Sequence, residues 1–139
     1  MIKFDNPIIC VDFDGVIHSY TSGWKGTNVV ADPPVDGAID WLLQHLPPIN
    51  EERTGPDFNY KGPIAVIYSS RSKDPDGRAA MAEWLVANGI PVEYYALGIL
   101  QFPAQKPPAF LTIDDRAICF DGTFPTTEEM MSFKPWNKR

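Results

Sequence analysis

The sequence predicts an α/β domain built around a parallel sheet, and three observations lead to this prediction. Two runs of apolar residues, 8–11 and 64–68, are short and mostly β-branched, which is typical of strands buried on both faces. Stretches with helical spacing of apolar residues follow each run. Strands that alternate with helices favour a parallel sheet with right-handed crossovers. We therefore expect one domain over residues 1–139.

The composition is that of an ordinary globular protein. The 139 residues are 44% hydrophobic, which suffices for the core of one domain. Twelve basic and 18 acidic residues give a net charge of −6, which argues against an extended nucleic-acid-binding surface. The N-terminus lacks the apolar region of a signal peptide, and no stretch is long enough to span a membrane. We expect a cytoplasmic protein with no membrane partner; the oligomeric state is left open.

The two cysteines, Cys10 and Cys119, lie within apolar, strand-like runs. Buried cysteines behave as small apolar side chains, and disulfides are rare in cytoplasmic proteins. We therefore expect two buried thiols rather than a disulfide.

The first half of the chain contains a predicted strand, a flap and a helix. After the strand at 8–11, the Gly- and Ser-rich segment 17–30 suggests a small hairpin-like flap. A helix is predicted over 35–46, and the prolines at 47–48 end it. The apolar positions on one face of this helix are Ile39, Leu42, Leu43 and Leu46. A polar loop is predicted over 49–62.

The second half supplies the remaining elements. After the strand at 64–68, Asp74 and Pro75 form the cap and first position of a helix. Thr126 and Glu129 form a capping box for a short last helix. Further strands are predicted at 91–97, 110–113 and 117–120. The sheet is therefore expected to have about five strands.

Polar side chains follow the predicted strands where they end. In chain order they are Asp12, Asp14, Ser69, Asp114 and Asp115, with Lys106 in the connection before the last pair. The carboxyl ends of parallel strands meet at the sheet edge where α/β proteins bind ligands. Neighbouring carboxylates need a compensating cation or proton, and Mg²⁺ prefers oxygen ligands and shares them with phosphate. The pattern predicts a magnesium site suited to a phosphorylated substrate.

This ordered set resembles the motifs of the haloacid dehalogenase superfamily, in particular its small phosphatase-type members. Asp12-Phe13-Asp14-Gly15-Val16 is similar to motif one, Ser69 to motif two, Lys106 to motif three and Asp114-Asp115 to motif four. The resemblance extends from about residue 8 to residue 120. It implies a three-layer Rossmann-like domain with helices on both faces of the sheet and with strand four next to strand one.

The resemblance also implies catalytic roles. Asp12 would be the nucleophile that forms an aspartyl phosphate, and Asp14 would protonate the leaving group and later activate water. Ser69 would hydrogen-bond a phosphoryl oxygen, and Lys106 would hold Asp12 and the phosphate together. An acid at position 14 favours phosphate esters, because dehalogenating members of the family lack it.

The implied cofactor is Mg²⁺. Its ligands would be Asp12, the backbone carbonyl of Asp14 and Asp114. Asp115 would be either a further ligand or a neighbour of the ligands.

Three residues beside these motifs are candidates for substrate binding. Gly15 permits the sharp turn that the chain must make after the two acids. Ser70 could replace Ser69 as the phosphate-binding hydroxyl, since family members more often have threonine at the latter position. Arg71 could bind substrate or pair with an acid, and both alternatives are open.

Simpler interpretations exist for several of these residues. The acidic pair 114–115 could cap a turn or pair with Arg116. Lys106 could be a solvated surface residue. His18 and Trp24, in the flap, are more readily explained by surface packing than by contact with a leaving group.

Two other classes of protein share parts of this pattern. Response-regulator receiver domains combine acids, a hydroxyl and a lysine, but their lysine comes last, whereas Lys106 precedes the final acids. A binding module that has lost turnover is disfavoured because every expected catalytic side chain is present. An EF-hand loop is excluded because its later acidic ligands are missing.

The expected function is therefore that of a Mg²⁺-dependent phosphomonoester hydrolase. The cap domain would be minimal or absent, because only the flap follows motif one and little more than a helix and a strand separates Ser69 from Lys106. The substrate could be a phosphorylated small molecule, a nucleotide or a nucleic-acid end. The alternatives are a nucleotide or polynucleotide-end phosphatase of the same fold and a catalytically weak phosphate-binding module.

Overall fold

The computed structural model describes residues 5–139 and contains a three-stranded parallel sheet. Strand β1 spans Ile8–Val11, β2 spans Ile64–Ile67 and β3 spans Leu111–Ile113, and their order is β2-β1-β3. In the central strand, Cys10 pairs with Val66 on one side and with Thr112 on the other. This order confirms that the predicted fourth strand, 110–113, lies next to the first.

Four α-helices accompany the sheet: α1 at Ala38–Gln44, α2 at Pro75–Ala87, α3 at Val92–Ala96 and α4 at Thr127–Met131. Two short 3₁₀ helices lie at Ser70–Lys73 and Trp136–Lys138. The predicted caps are confirmed. The Asp74 side chain accepts a hydrogen bond from the N–H of Asp76 at 2.8 Å, and Thr126 and Glu129 form a reciprocal capping box.

The apolar faces of β1, β2, α1 and α2 share one core. The buried apolar cluster contains Ile9 and Val11 from β1, Ala65 and Ile67 from β2, Leu42 from α1, and Met81 and Leu85 from α2. All four residues of β2 are buried, which explains why its sequence is a continuous apolar run. The core thus fixes β1 and the turn that follows it.

The predicted strand at 91–97 is wrong, because Val92–Ala96 is the helix α3. The backbone of Pro91 precedes the first turn, and Gly98 follows the helix with φ +73°. Proline is common at the start of a helix and glycine just beyond its end. These two flanking residues favour a helix here, although the side chains of the segment are typical of a strand.

Within the described part of the chain, residues 117–120 do not form the predicted fifth strand. Only residues 114–116 separate this segment from the end of β3. A parallel neighbour requires a crossover of a dozen residues or more, so the segment cannot return to pair with β3 in parallel. Residues 5–139 therefore form three strands rather than about five.

The C-terminal part of the chain is open to solvent. Its exposed large apolar side chains are Phe110, Leu111, Ile113, Ile118, Phe120, Phe124, Met130, Met131 and Trp136. Cys119 is also exposed, so the expectation of two buried thiols is wrong for this residue, whereas Cys10 is buried. Both cysteines are free.

The flap after β1 is a loop with a closed base. The N–H of Ser19 donates to the carbonyl of Pro33, and the N–H of Val35 donates to the carbonyl of Ile17, both at 2.9 Å. Between these hydrogen bonds the backbone is irregular, with Tyr20 at φ +61°. The flap is therefore hairpin-like only at its base.

In residues 5–139, every helix is too short or too polar to cross a membrane.

Candidate functional site

Three carboxylates meet where β1 and β3 end. Asp12 follows β1 directly, and Asp114 and Asp115 follow β3. The N–H of Asp12 donates to the carbonyl of Ile113 at 2.9 Å, so the pairing of the two strands continues up to the acids. One carboxylate oxygen from each acid lies within 4.8 Å of the others. Adjacent parallel strands thus bring residues a hundred positions apart to one point.

Gly15 provides the space for Asp115. Its φ is +87°, and a Cβ added at this position would lie 2.2 Å from a carboxylate oxygen of Asp115. Any side chain would therefore displace the acid, and its backbone would also be strained. The prediction that glycine is required for the turn after the two acids holds, and the contact with Asp115 is a further requirement that the sequence did not indicate.

Burial and the two neighbouring acids change the pKa of Asp12. Burial, a hydrogen bond with Asp115 and the negative charge of Asp114 raise the pKa of Asp12 to about 8. The elevated pKa thus reflects first the burial of this carboxyl and then its two acidic neighbours. A divalent cation would offset the negative charge of these acids, and these carboxylate oxygens are suitable ligands for it. The residues that could hold such an ion are Asp12, Asp114 and Asp115.

Asp14 does not belong to this cluster; it is bound instead by Arg71. The guanidinium donates from Nε to Asp14 Oδ2 at 2.9 Å and from Nη2 to Oδ1 at 3.2 Å. Arg71 is fully buried, and its Nη1 donates to the backbone carbonyls of Gly26 and Thr27 at 2.9 and 2.8 Å. Of the two alternatives for Arg71, the structure has the pairing with an acid.

His18 completes the surroundings of Asp14. Its Nδ1 lies 2.8 Å from Asp14 Oδ1, and its Nε2 accepts a hydrogen bond from the N–H of Asp32 at 3.0 Å. Because Nε2 is the acceptor, the proton lies on Nδ1, which therefore donates to Asp14. His18 is buried and packs against the rings of Phe13 and Trp84. The sequence-based expectation of surface packing for His18 is therefore wrong.

The hydrogen bonds to Asp14 favour its ionised form. Burial acts to raise the pKa of this carboxyl, but the hydrogen bonds and charges of His18 and Arg71 outweigh burial and lower it below its ordinary value. Asp12 and Asp14 are two residues apart, yet their pKa values move in opposite directions. Pairs of acids with separated pKa values are typical of sites that transfer protons.

The two candidate hydroxyls after β2 are in different places. Ser69 is buried, and its Oγ accepts a hydrogen bond from the N–H of Arg71 at 3.2 Å, which caps the first 3₁₀ helix. Its hydroxyl hydrogen is still able to donate. Ser70 is exposed and lines a cavity with Asp12 and Asp14. Both serines thus lie at the expected sheet edge.

Lys106 is exposed in the irregular connection before β3. Its positive charge acts on the buried thiol of Cys10, whose pKa burial raises. Within residues 5–139, Lys106 forms no ion pair with Asp12 and is not among the residues that line the cavity beside that acid.

The cavity beside the acids has a volume of about 170 Å³. Besides Asp12, Asp14, Ser70 and Asp115, its walls are formed by Tyr20, Trp24 and Arg116. For Trp24, surface packing was favoured over contact with a leaving group, and Tyr20 and Arg116 were not expected as substrate-binding residues. The sequence offers little signal for them, because a loop of irregular backbone brings both aromatic residues to the acids. The N–H of Arg116 also donates to Asp114 Oδ1 at 2.9 Å, so Asp114 caps a turn as one interpretation proposed.

The C-terminal segment contacts the turn between Asp14 and Val16. The indole N–H of Trp136 donates to the carbonyl of Gly15 at 2.8 Å, and the preceding Pro135 is buried. The sequence left this segment unassigned. Its hydrogen bond therefore attaches the C-terminal segment to the turn that follows the two acids.

Comparisons of the chain with protein-family models, with curated proteins and with solved structures found no match.

Proposed function

We propose that the protein is a Mg²⁺-dependent phosphomonoester hydrolase of the haloacid dehalogenase type that acts through an aspartyl phosphate on Asp12. The observation that carries the proposal is the convergence of Asp12, Asp114 and Asp115 at the ends of two adjacent parallel strands. The order of the remaining motifs along the chain supports it. The finer features of that fold, three layers with helices on both faces, are part of the same proposal.

The nucleophile is an oxygen of the Asp12 carboxylate. It attacks phosphorus in line as the bond between phosphorus and the leaving-group oxygen breaks, which leaves an acyl phosphate on Asp12. Water then attacks this phosphorus, releases inorganic phosphate and restores the carboxylate. Asp12, the Asp14 carbonyl and Asp114, with Asp115 alongside, would hold a magnesium ion, which would supply positive charge to the phosphate oxygens.

Asp14 transfers a proton in each of the two steps. As a carboxylate, the form that His18 and Arg71 favour, it accepts a proton from the water that attacks the acyl phosphate. As an acid, it returns that proton to the leaving oxygen of the next substrate. Because its neighbours lower the pKa of Asp14, the basic role is the easier one. We therefore expect good leaving groups to react faster than aliphatic alcohols.

The remaining residues bind the phosphoryl group. The hydroxyl of Ser69 or Ser70 donates to a phosphoryl oxygen, and Lys106 holds Asp12 and the phosphate together. Arg71 acts on the substrate only through Asp14, since its donors are already used by that acid and by two backbone carbonyls. Gly15 keeps the turn open for Asp115 and is a positioning residue in this scheme.

The test is hydrolysis of p-nitrophenyl phosphate with Mg²⁺ by the wild-type protein, the Asp12→Asn variant and the Asp40→Asn variant. Asp40 lies on the exposed side of α1, so its substitution makes the same chemical change away from the site. We expect Asp12→Asn to lower the rate by at least about 1,000-fold and Asp40→Asn to leave it unchanged. Equal rates in all three proteins would contradict the proposal. Phosphate-analogue binding without turnover would favour the phosphate-binding module instead.

A further inference from the structure

Trp24 is exposed, and one face of its ring packs on a buried side chain. Its side chain is 51% exposed, while its ring lies over the guanidinium of Arg71, with 4.7 Å between the guanidinium carbon and the ring centroid. The same guanidinium binds the backbone carbonyls of Gly26 and Thr27, which follow Trp24 in the flap. The buried ion pair with Asp14 thus anchors both the ring and the loop that carries it. An aromatic side chain that is ordered before binding loses little conformational entropy when a ligand stacks on it.

Tyr20 lines the same cavity as Trp24. Its φ of +61° is unusual for a bulky residue, and such strain is concentrated at functional sites. The carbonyl of Tyr20 accepts a hydrogen bond from Gly23 at 3.1 Å, and its ring contacts the edge of His18. Two aromatic rings, each in contact with a residue that binds Asp14, therefore line the cavity that contains Asp12.

The cavity itself is small. Its volume of about 170 Å³ lies below the roughly 300–1,000 Å³ of pockets that enclose a drug-sized ligand. This space suits a phosphoryl group beside Asp12, whereas the rest of a larger substrate must extend beyond the cavity, and Trp24 combines a place in the cavity lining with 51% exposure. The chemical group that suits a rigid aromatic surface is a planar aromatic ring.

We propose that Trp24 and Tyr20 form an aromatic platform that stacks against the base of a nucleoside monophosphate while its phosphate lies at Asp12. This inference rests on the proposed function, because it assumes that the phosphate is bound at Asp12. A mononucleotide is favoured over a nucleic-acid end because the net charge of −6 repels a chain of further phosphates.

The test compares adenosine 5′-monophosphate with ribose 5-phosphate in the presence of Mg²⁺. Both have the same primary alkoxide as leaving group, so the chemical step is matched and only the base differs. Stacking of one base on an aromatic side chain strengthens binding by a factor of about 5 to 150. We expect kcat/KM for adenosine 5′-monophosphate to exceed that for ribose 5-phosphate by this factor. Trp24→Ala should bring this ratio close to one, and Trp24→Phe should retain part of it. Phe124→Ala is the control, because Phe124 is 82% exposed and does not line the cavity.

Binding measurements separate the two proposals. Calorimetric titration of the Asp12→Asn protein with each ligand and Mg²⁺ requires no turnover. Tighter binding of the nucleotide, lost in the Asp12→Asn, Trp24→Ala double variant, supports the platform even where no hydrolysis is measured. Equal affinities and equal kcat/KM values would overturn the platform while leaving the phosphatase function intact. A preference for a 5′-phosphorylated octanucleotide over the mononucleotide would overturn the assignment to mononucleotides.

Discussion

Arg71 donates to both carboxylate oxygens of Asp14, at 2.9 Å from Nε and 3.2 Å from Nη2. This pair joins the segment after β2 to the segment after β1, and the same arginine holds the flap through two backbone carbonyls. A single buried side chain thus connects the three segments that surround the candidate site. The hydrogen bond from His18 and this pair with Arg71 together lower the pKa of Asp14, against the opposing effect of burial.

Removal of Arg71 is expected to destabilise the fold strongly. Arg71→Met leaves the Asp14 carboxylate without its cation, and breaking a buried pair in this way costs about 3–5 kcal/mol in the free energy of unfolding. Arg71→Lys keeps the charge but not the forked geometry of the guanidinium, so its free energy of unfolding should lie between those of Arg71→Met and the wild type. Urea denaturation measures both.

The matched control is Arg53→Met, which removes the ion pair between Arg53 and Glu93. Both side chains of that pair are exposed, so its loss should cost at most about 1 kcal/mol. Equal losses of stability in Arg71→Met and Arg53→Met would contradict the role assigned to the buried pair.

Gly15→Ala should weaken binding of a divalent cation. The added Cβ would lie 2.2 Å from Asp115, so the acid must move, and the backbone at φ +87° becomes strained. Gly98→Ala is a control with similar strain, because Gly98 has φ +73° and no heavy atom within 4 Å of an added Cβ. Both variants should lose about 1 kcal/mol of stability from strain, but only Gly15→Ala should lose Mg²⁺ affinity, by about tenfold or more in a calorimetric titration. Equal Mg²⁺ affinities in Gly15→Ala and Gly98→Ala would show that the position of Asp115 does not depend on the absence of a side chain at Gly15.

The acids make stability depend on pH in metal-free buffer. The pKa of Asp12 is about 8 in the folded protein and near 4 in the unfolded chain. The folded state therefore binds this proton more tightly, so the contribution is fully present below pH 4 and is lost as the pH rises through 8. Asp14 has the opposite sign: its pKa is lowered by folding, so its contribution is present at neutral pH and is lost in acid.

Thermal unfolding between pH 5 and pH 9 measures the Asp12 contribution. We expect the midpoint of the wild-type protein to fall with rising pH and the midpoint of Asp12→Asn to change less. Millimolar Mg²⁺ should restore the wild-type midpoint at high pH, because the cation replaces the proton. A wild-type profile as flat as that of the variant would contradict the strong coupling of the three acids.

Trp136→Phe tests the contact between the C-terminal segment and the turn after Asp14. The variant keeps the ring but loses the hydrogen bond to the Gly15 carbonyl, which is worth about 0.5–1.5 kcal/mol. Trp41→Phe is the control, because the Trp41 ring packs against His45. We expect Trp136→Phe to lower both stability and Mg²⁺ affinity, whereas Trp41→Phe should leave Mg²⁺ affinity unchanged. Unchanged Mg²⁺ affinity in Trp136→Phe would limit the role of the segment to stability.

The sequence predicts those features that depend on local patterns. The β1 and β2 runs, the Asp74 cap of α2 and the Thr126–Glu129 capping box are each set by neighbouring residues. The carboxylates that follow β1 and β3 were also predictable, because parallel strands bring their carboxyl ends to one edge.

Features that depend on distant contacts could not be predicted in the same way. Val92–Ala96 contains good strand-forming side chains, and only the flanking proline and glycine indicate the helix. The hydrogen bond of His18 to Asp14 was missed, and Asp14 was not identified as the acid that pairs with Arg71, because both partners reach it through the irregular backbone of the flap and of the turn after β2. The Trp136 contact spans 121 positions and has no local pattern that indicates it.

The central claim is that Asp12 forms the covalent intermediate, and chemical trapping tests it most directly. The protein is mixed with p-nitrophenyl phosphate and Mg²⁺, quenched in acid within one turnover, and treated with borohydride, which reduces an aspartyl phosphate to homoserine. Peptide mass spectrometry then locates the modified residue. We predict homoserine at position 12 alone, and none in the Asp12→Asn protein. Turnover without any reduced aspartate, or with the label at another residue, would contradict the account.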